Sequence, residues 1–260
     1  MNALHTGKAD LHIHTNAGDG LDSLHAILDH VETGTDLDVI AVTEHDNLDI
    51  ALEARELWAR DRHRFDLVPG CEVTTLEGHL IALYIERPVA SLKRVEETID
   101  EVHRQGGICF VPHPASWLTR SIGPGTLARV NEQRSRGTWF DAIETANAGP
   151  AGRFYLTKAR RLAYEYGLPG VGSSDAHFIQ AIGSAYTQFE GTSGEDLRTS
   201  FREAALCPHQ LAYPRLRDVG LVRSVSLPFV GLRATPRALG WRRTTWSFVS
   251  RYFPHGYASK

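Results

Sequence analysis

Residues 9–15 read Ala9-Asp10-Leu11-His12-Ile13-His14-Thr15, a short apolar run that ends in two histidines spaced two apart. On a β-strand, side chains repeat every two residues. His12 and His14 therefore project to the same side, and both imidazoles can reach one ion. The competing reading is a pair of surface-facing histidines, since this spacing is easily met by accident. What decides between them is whether other strand ends in the chain carry the same kind of residue.

They do. Strand candidates at 9–13, 39–42, 67–73, 80–85, 108–111, 142–145 and around Val171 alternate with amphipathic segments beginning near Asp22, Leu48, Ser91, Thr126, Arg153 and Ser193. This alternation is expected of βα units around a parallel sheet. The clearest helix is SLKRVEETIDEVHRQGG, with Ser91 as the expected N-cap, apolar residues at Leu92, Val95, Ile99 and Val102, and Gly106-Gly107 as its stop. About seven such units predict a distorted barrel with its reactive groups at the carboxyl ends of the strands. Glu44 and His45 end the second strand, Glu72 the third, His113 the fifth, Glu144 and Asn147 the sixth, and Asp175 and His177 the last.

Each motif has a plainer explanation. VTEHD (42–46) suits a solvated loop, and FVPHP (110–114) a satisfied core histidine. In VPGCEVT (68–74), Glu72 sits inside an apolar run, where an ionised carboxylate needs a salt-bridge partner or a cation. GVGSSDAH (170–177) places Asp175 and His177 two apart among small residues, although Ser/Asp-rich turns are also common caps. Taken together, five strand ends with ligand-type side chains favour a metal centre.

The chain has 260 residues, 42% of them hydrophobic and 23% charged, which suits a domain of barrel size with an appendage. Of the net charge of −3, the stretch 214–260 carries +8 and residues 1–213 about −11. The expected division is a barrel at 1–213 and a basic, aromatic-containing extension at 214–260. Nucleic-acid or membrane-surface contact by that extension competes with its folding back onto the barrel. Cys71, Cys109 and Cys207 are too few and scattered for a disulfide framework, and no run of about 18 apolar residues spans a bilayer, so the expected location is the cytoplasm.

DLHIHT followed by GDG, then TEHDN, GCEVT, HP and GSSDAH in this order resembles the PHP (polymerase and histidinol phosphatase) family of metal-dependent phosphoesterases over about residues 8–205. The resemblance implies a seven-unit (βα) barrel of PHP type holding two or three divalent ions: zinc, manganese or iron. By position it implies His12, His14, Glu72 and Asp175 around one ion. Glu72 would bridge to a second with His113, and Asp19, His45 and His177 would hold a third. Asp10 would orient a ligand histidine, and His79 would serve as a weaker ligand or a substrate contact. Many members carry a further histidine after the sixth strand, where this chain has Glu144-Thr145-Ala146-Asn147.

The implied activity is hydrolysis of a small phosphate ester, a nucleotide or sugar phosphate, by a metal-activated hydroxide, with Glu72, Asp175 and His177 as catalytic residues. Arg120, Arg153 and Lys158 are candidates to bind the phosphate. Trp117 and Phe154 could stack on a sugar or base, with a place in the core the stronger reading for Phe154. Metal-dependent amide or ester hydrolysis, and a non-catalytic metal-binding module, are the alternative functions.

Overall fold

The computed structural model describes residues 5–149 and 152–220. Nine strands form one sheet: β1 (Thr6–Ile13), β2 (Val39–Val42), β3 (Asp66–Thr74), β4 (His79–Leu83), β5 (Ile108–Val111), β6 (Ala142–Ala146), β7 (Gly170–Gly172), β8 (Ala185–Glu190) and β9 (Cys207–Gln210). Their spatial order is β7-β6-β5-β4-β3-β2-β1-β8-β9. The β1-β2-β3 and β5-β6-β7 runs are parallel, while β4 is antiparallel to both neighbours and β8 is antiparallel to β1 and β9. The expected distorted barrel of seven βα units is thus corrected to a mixed, nearly closed sheet of nine strands. β3 and β4 form a hairpin because only Leu76, Glu77 and their flanking residues separate them, too few for a crossover helix. The polar alternation of β8 and the Pro-containing β9 gave no strand signal in the apolar-run reading.

The helices lie outside this sheet and form by amphipathic spacing. In α1 (Leu24–Gly34), the Ser23 hydroxyl accepts from Ala26 N–H, and Leu24, Ile27, Leu28 and Val31 are buried at i, i+3, i+4, i+7. The helix expected from Ser91 starts later, as α3 (Val95–Arg104). Leu92 has left-handed φ (56°) and donates its N–H to Thr74, and the first helical N–H, from Val95, is met by the Glu77 carboxylate (2.9 Å). A carboxylate distant in sequence therefore caps this helix in place of Ser91. The remaining helices are α2 (Leu48–Asp61), α4 (Pro124–Glu132), α5 (Gly152–Tyr166), α6 (Gly194–Arg202) and the short α7 (Leu216–Val219).

Closure of the sheet positions the site. Along the lower half of β1, residues 6–9 pair with β8. At its upper end β1 pairs with the chain leaving β7: His14 N–H donates to Ala176 (2.9 Å) and Ala176 N–H to His12 (3.1 Å). Below, β7 meets β8 through a side chain, with Gly172 N–H donating to Thr187 Oγ1 and that hydroxyl donating back to the Gly172 carbonyl, both at 2.9 Å. A Cβ at Gly172 would lie 2.3 Å from the Tyr186 carbonyl oxygen, so only glycine permits this approach. The first residues of the basic extension pack on the barrel, where Val219 joins the cluster of Ile13, Ile40 and Val42; just before them, Tyr213 meets Phe178 edge-on. Residues 221–260, where most of the extension falls, lie outside the described residues. Among the described residues, no helix is long and apolar enough to cross a membrane.

Candidate metal centre

The strand ends converge on Glu72, which is 1% exposed in the middle of β3. Its Oε2 faces His12 Nε2 (3.1 Å), His14 Nε2 (3.3 Å) and His45 Nδ1 (3.3 Å). Its Oε1 faces His79 Nδ1 (2.7 Å) and His113 Nε2 (3.1 Å). The period-two expectation holds for β1: the Nε2 atoms of His12 and His14 lie 3.1 Å apart. Asp175 Oδ1, carried in by the pairing of Ala176 with β1, is 3.4 Å from His12 Nε2 and 3.3 Å from His14 Nε2.

These spacings test whether cations fit. Ligands about 2.0–2.1 Å from a tetrahedral ion are about 3.3–3.4 Å from one another. Five of the six edges among His12, His14, Glu72 and Asp175 are 3.1–3.4 Å. His79 Nδ1 and His45 Nδ1 are buried and lack hydrogen-bond partners despite their short distances to Glu72. Close approach without hydrogen-bond alignment is the signature of lone pairs aimed at a shared third point. Clusters able to hold an ion include His12-His14-Asp175, His12-Glu72-His113, His14-His45-Glu72 and His14-Asp19-His177. Asp19 Oδ2 is 3.3 Å from His177 Nε2 and 3.5 Å from His45 Nε2. The residue set fits divalent cations.

Partners on the far side of each ring fix its orientation. His177 Nδ1–H donates to the Asp175 carbonyl (2.9 Å), and His113 Nδ1 meets Ser121 Oγ (3.0 Å) and Thr119 Oγ1 (3.1 Å). His14 Nδ1 faces Glu44 Oε1 (3.4 Å), and Glu44 is held by the N–H and hydroxyl of Thr15 (3.0 and 2.7 Å). A Cβ at Gly18 would fall 1.9 Å from that Glu44 oxygen. His12 Nδ1 faces Glu144 Oε1 at 4.0 Å. Glu144, fully buried in β6, accepts from His113 N–H (2.8 Å), Tyr155 O–H (2.8 Å), Ser173 O–H (2.6 Å) and Asn147 Nδ2 (3.3 Å). The expectation that Asp10 orients a ligand ring is corrected: its oxygens accept Ser174 N–H (2.9 Å) and Gly183 N–H (2.8 Å), bracing the loop that carries Asp175. Three residues here hold left-handed backbone: Asp46 (φ 51°), His113 (30°) and Asp175 (52°).

Electrostatics follow from this packing. Burial alone would depress the ring pKa of His12, yet Asp175 and Glu72 raise it to about 10; Glu72 and Asp19 likewise overcome burial at His45, lifting it to about 9. The carboxyl of Glu72 is held well below its usual range against the cost of burial by His45, His79 and His12, and Asp175 is held low by His12, His14 and His177. Burial wins at His79, whose pKa is lowered. Exposure rises across the centre from His12 (0%) to Asp175 (22%) and His177 (26%), so solvent and substrate reach it from that rim.

Of the residues expected to bind phosphate, Arg120 is held by backbone carbonyls and Lys158 is in solvent. Arg120 donates to the Thr75 and Leu76 carbonyls (2.9 and 3.4 Å), tying the segment after β5 to the β3–β4 turn. Lys158 is exposed on α5, and the Arg153 side chain lies outside the described residues. His79, expected as a weaker contact, lies as near Glu72 as any ligand candidate. Phe154, expected in the core, is 66% exposed. The orienting role of Glu144 was not anticipated, although a glutamate in the apolar run AIETA is the same signal that singled out Glu72.

The PHP-associated family model matches residues 155–206. The uncharacterized protein MJ1587 of Methanocaldococcus jannaschii is 30% identical over 127 residues, 45% of this chain and 72% of that protein. The chain belongs to the PHP family. Beyond MJ1587, this PHP chain is 27% identical over 158 residues to the 5'-3' exoribonuclease Rnm of Salmonella typhimurium, covering 57% of this chain and 46% of the nuclease. Its fold is similar to that of a two-domain protein from Bacteroides vulgatus containing a predicted PHP-like metal-dependent phosphoesterase (TM-score 0.66, 20% identity, 81% of this chain and 66% of that one). The PHP chain therefore spans about half of Rnm and about two thirds of the Bacteroides protein.

Proposed function

We propose that this PHP chain is a metal-dependent phosphoesterase acting on a small phosphate ester, a nucleotide or sugar phosphate. One observation carries the reading: the two oxygens of Glu72 face separate groups of imidazoles, His12, His14 and His45 on one side and His79 and His113 on the other. A carboxylate so placed suits two cations side by side. His12, His14, Glu72 and Asp175 would hold one, Glu72, His79 and His113 a second, and Asp19, His45 and His177 a third. In this assignment His79 supplies the histidine that many relatives carry after the sixth strand.

Divalent ions held there acidify water and neutralise the charge that grows on phosphate in the transition state. The protein's own part is positional. Glu44 orients the ring of His14, Glu144 lies opposite His12 Nδ1 at 4.0 Å, and the Ser174 and Gly183 N–H groups on Asp10 fix the loop bearing Asp175. Asp175 and His177 stand at the accessible rim, where the Asp175 carboxylate would accept a hydrogen bond from the attacking water and orient it. The Arg120 guanidinium is engaged with backbone carbonyls, which leaves the cations to answer the charge of the ester. The names of Rnm and of the Bacteroides protein agree with this reading. The small number of scattered cysteines, two of them buried, supports a reducing compartment such as the cytoplasm.

The test is elemental analysis of purified protein, together with phosphate release from a panel of phosphomonoesters and diesters that also includes amide substrates. Wild type is expected to carry two or three ions and to release phosphate, and His12→Ala and Glu72→Ala to lose both. Amide cleavage without phosphate release, or activity surviving the loss of Glu72, overturns the proposal.

A further inference from the structure

Two large aromatic rings stand in solvent beside the metal centre. Trp117 is 74% exposed and Phe154 66% exposed, and their ring centroids lie 6.0 Å apart with planes 65° from parallel. They come from different elements. Trp117 sits at the tip of the segment after β5, only four residues from His113 and so within about 15 Å of it along the backbone. Phe154 is on the first turn of α5, next to Tyr155, whose hydroxyl binds Glu144.

Both rings have fixed supports. The tip segment is bonded to itself and to the centre: Ser116 N–H donates to the His113 carbonyl (3.2 Å), Leu118 N–H to Ser116 Oγ (3.2 Å) and Ala115 N–H to the Ile122 carbonyl (3.0 Å). Thr119 and Ser121 of the same segment grip the His113 ring. On the other side, Tyr155 and Glu144 anchor the start of α5, and Glu144 also receives the His113 N–H. Trp117 and Phe154 therefore keep a set position relative to the ions. An edge-to-face pair leaves ring faces open to a third planar group.

Resting on the phosphoesterase reading, we propose that Trp117 and Phe154 form a stacking platform for the base of the substrate, so that the preferred ester is a nucleoside phosphate and not a bare sugar phosphate. The chemistry matches the setting. Every nucleobase offers a π-face of this size, stacking on aromatic side chains tolerates any base sequence, and the phosphate of the same molecule would lie toward the centre. A sugar phosphate has no π-face and could offer the pair only the C–H face of its ring.

The test compares nucleoside 5'- and 3'-monophosphates with ribose 5-phosphate in wild type, Trp117→Ala, Trp117→Phe and Phe154→Ala. Both side chains are mostly exposed, so truncation leaves the core intact. Each alanine variant is expected to raise KM for nucleotides by roughly tenfold to a hundredfold, the range that base stacking supports. Turnover of nucleotides and kinetics on ribose 5-phosphate should stay within about twofold of wild type by the same reasoning, and Trp117→Phe should keep most of the nucleotide preference. A dinucleotide preferred over mononucleotides would assign the platform to the end of a strand, with the base contact unchanged.

Equal losses on nucleotides and ribose 5-phosphate overturn the proposal. So does an altered oligomeric state or thermal midpoint with unaltered nucleotide KM, which would mean that the pair docks protein. Should wild type release phosphate from no substrate, the hydrolase reading fails separately. The platform is then judged by nucleoside monophosphate quenching of Trp fluorescence, present in wild type and lost in Trp117→Phe if the proposal holds, and identical in both if it does not.

Discussion

Replacing Glu144 by glutamine and by alanine separates the two tasks of this buried carboxylate. It accepts hydrogen bonds from His113 N–H, Tyr155 O–H, Asn147 Nδ2 and Ser173 O–H, and it faces His12 Nδ1 at 4.0 Å. Alanine strands all four donors, each worth about 1–3 kcal/mol when left unpaired in the interior. The two hydroxyls can rotate and water can enter the space, so the expected loss is about 3–5 kcal/mol, the range measured for breaking buried ionic networks. In a barrel of this size each kcal/mol moves the thermal midpoint by about 2–4 °C, giving a drop of about 10 °C or more. Glutamine can place its oxygen at Oε2, keeping the bonds from His113, Tyr155 and Asn147. Its amide then faces Ser173, whose hydroxyl can accept, and the expected cost is about 1 kcal/mol. What glutamine cannot keep is the acceptor opposite His12. Loss of a carboxylate behind a ligating histidine costs about 10- to 100-fold in metal affinity or turnover. Thermal unfolding followed by circular dichroism, with calorimetric titration of Zn²⁺ or Mn²⁺, measures both quantities. Glu144→Gln that binds ions like wild type, or that destabilises as much as Glu144→Ala, would refute this division.

Two further outcomes follow from the same geometry. In the ion-free protein, His12 is raised to about 10 and His45 to about 9. Their protonated, paired form therefore stabilises the fold fully below about pH 6.5 and loses that contribution as pH rises through their folded values, whereas Glu72 and Asp175, held low, lose theirs only in acid. Because ligation needs neutral rings, the gap in thermal midpoint between ion-loaded and chelator-treated protein should widen between about pH 7 and pH 9.5; a constant or shrinking gap contradicts the assignment. His79→Ala should lower the ion count by one in elemental analysis while the ions at His12 and Asp19 remain, and an unchanged count would return His79 to the role of substrate contact.

The sequence made the ligand set legible because its members are rare residues at the ends of apolar runs: His12 and His14 after Leu11, Glu72 within VPGCEVT, Asp175 and His177 after GVGSS. Spacing of two on β1 correctly implied neighbouring imidazoles. Less legible was everything that depends on pairing between distant segments. The antiparallel direction of β4, itself legible as an apolar run, depends on the short β3–β4 turn, and β8 with β9 carry no long apolar runs. The Glu77 cap on α3 lies 18 residues from Val95, beyond any local capping pattern. The resemblance made Asp10 a partner for a ligand ring, yet the loop at 174–183 folds over it and takes both its oxygens. Phe154 directly precedes Tyr155 and Leu156, both buried, so its outward direction depends on the helix phase and not on composition.

The left-handed backbone at Asp46, His113 and Asp175 bears on how long the chain survives in a cell. Non-glycine residues in this conformation cost about 1–2 kcal/mol each relative to the ordinary regions. A cation present at 100 times its dissociation constant returns about 2.7 kcal/mol by mass action. The two quantities are of the same size, so a freshly made chain short of metal spends more time open to proteases than one that has filled its centre. Starvation for the ion would thus deplete the protein itself as well as its turnover, and the amount of chain recovered from cells would report on metal supply before any substrate is added.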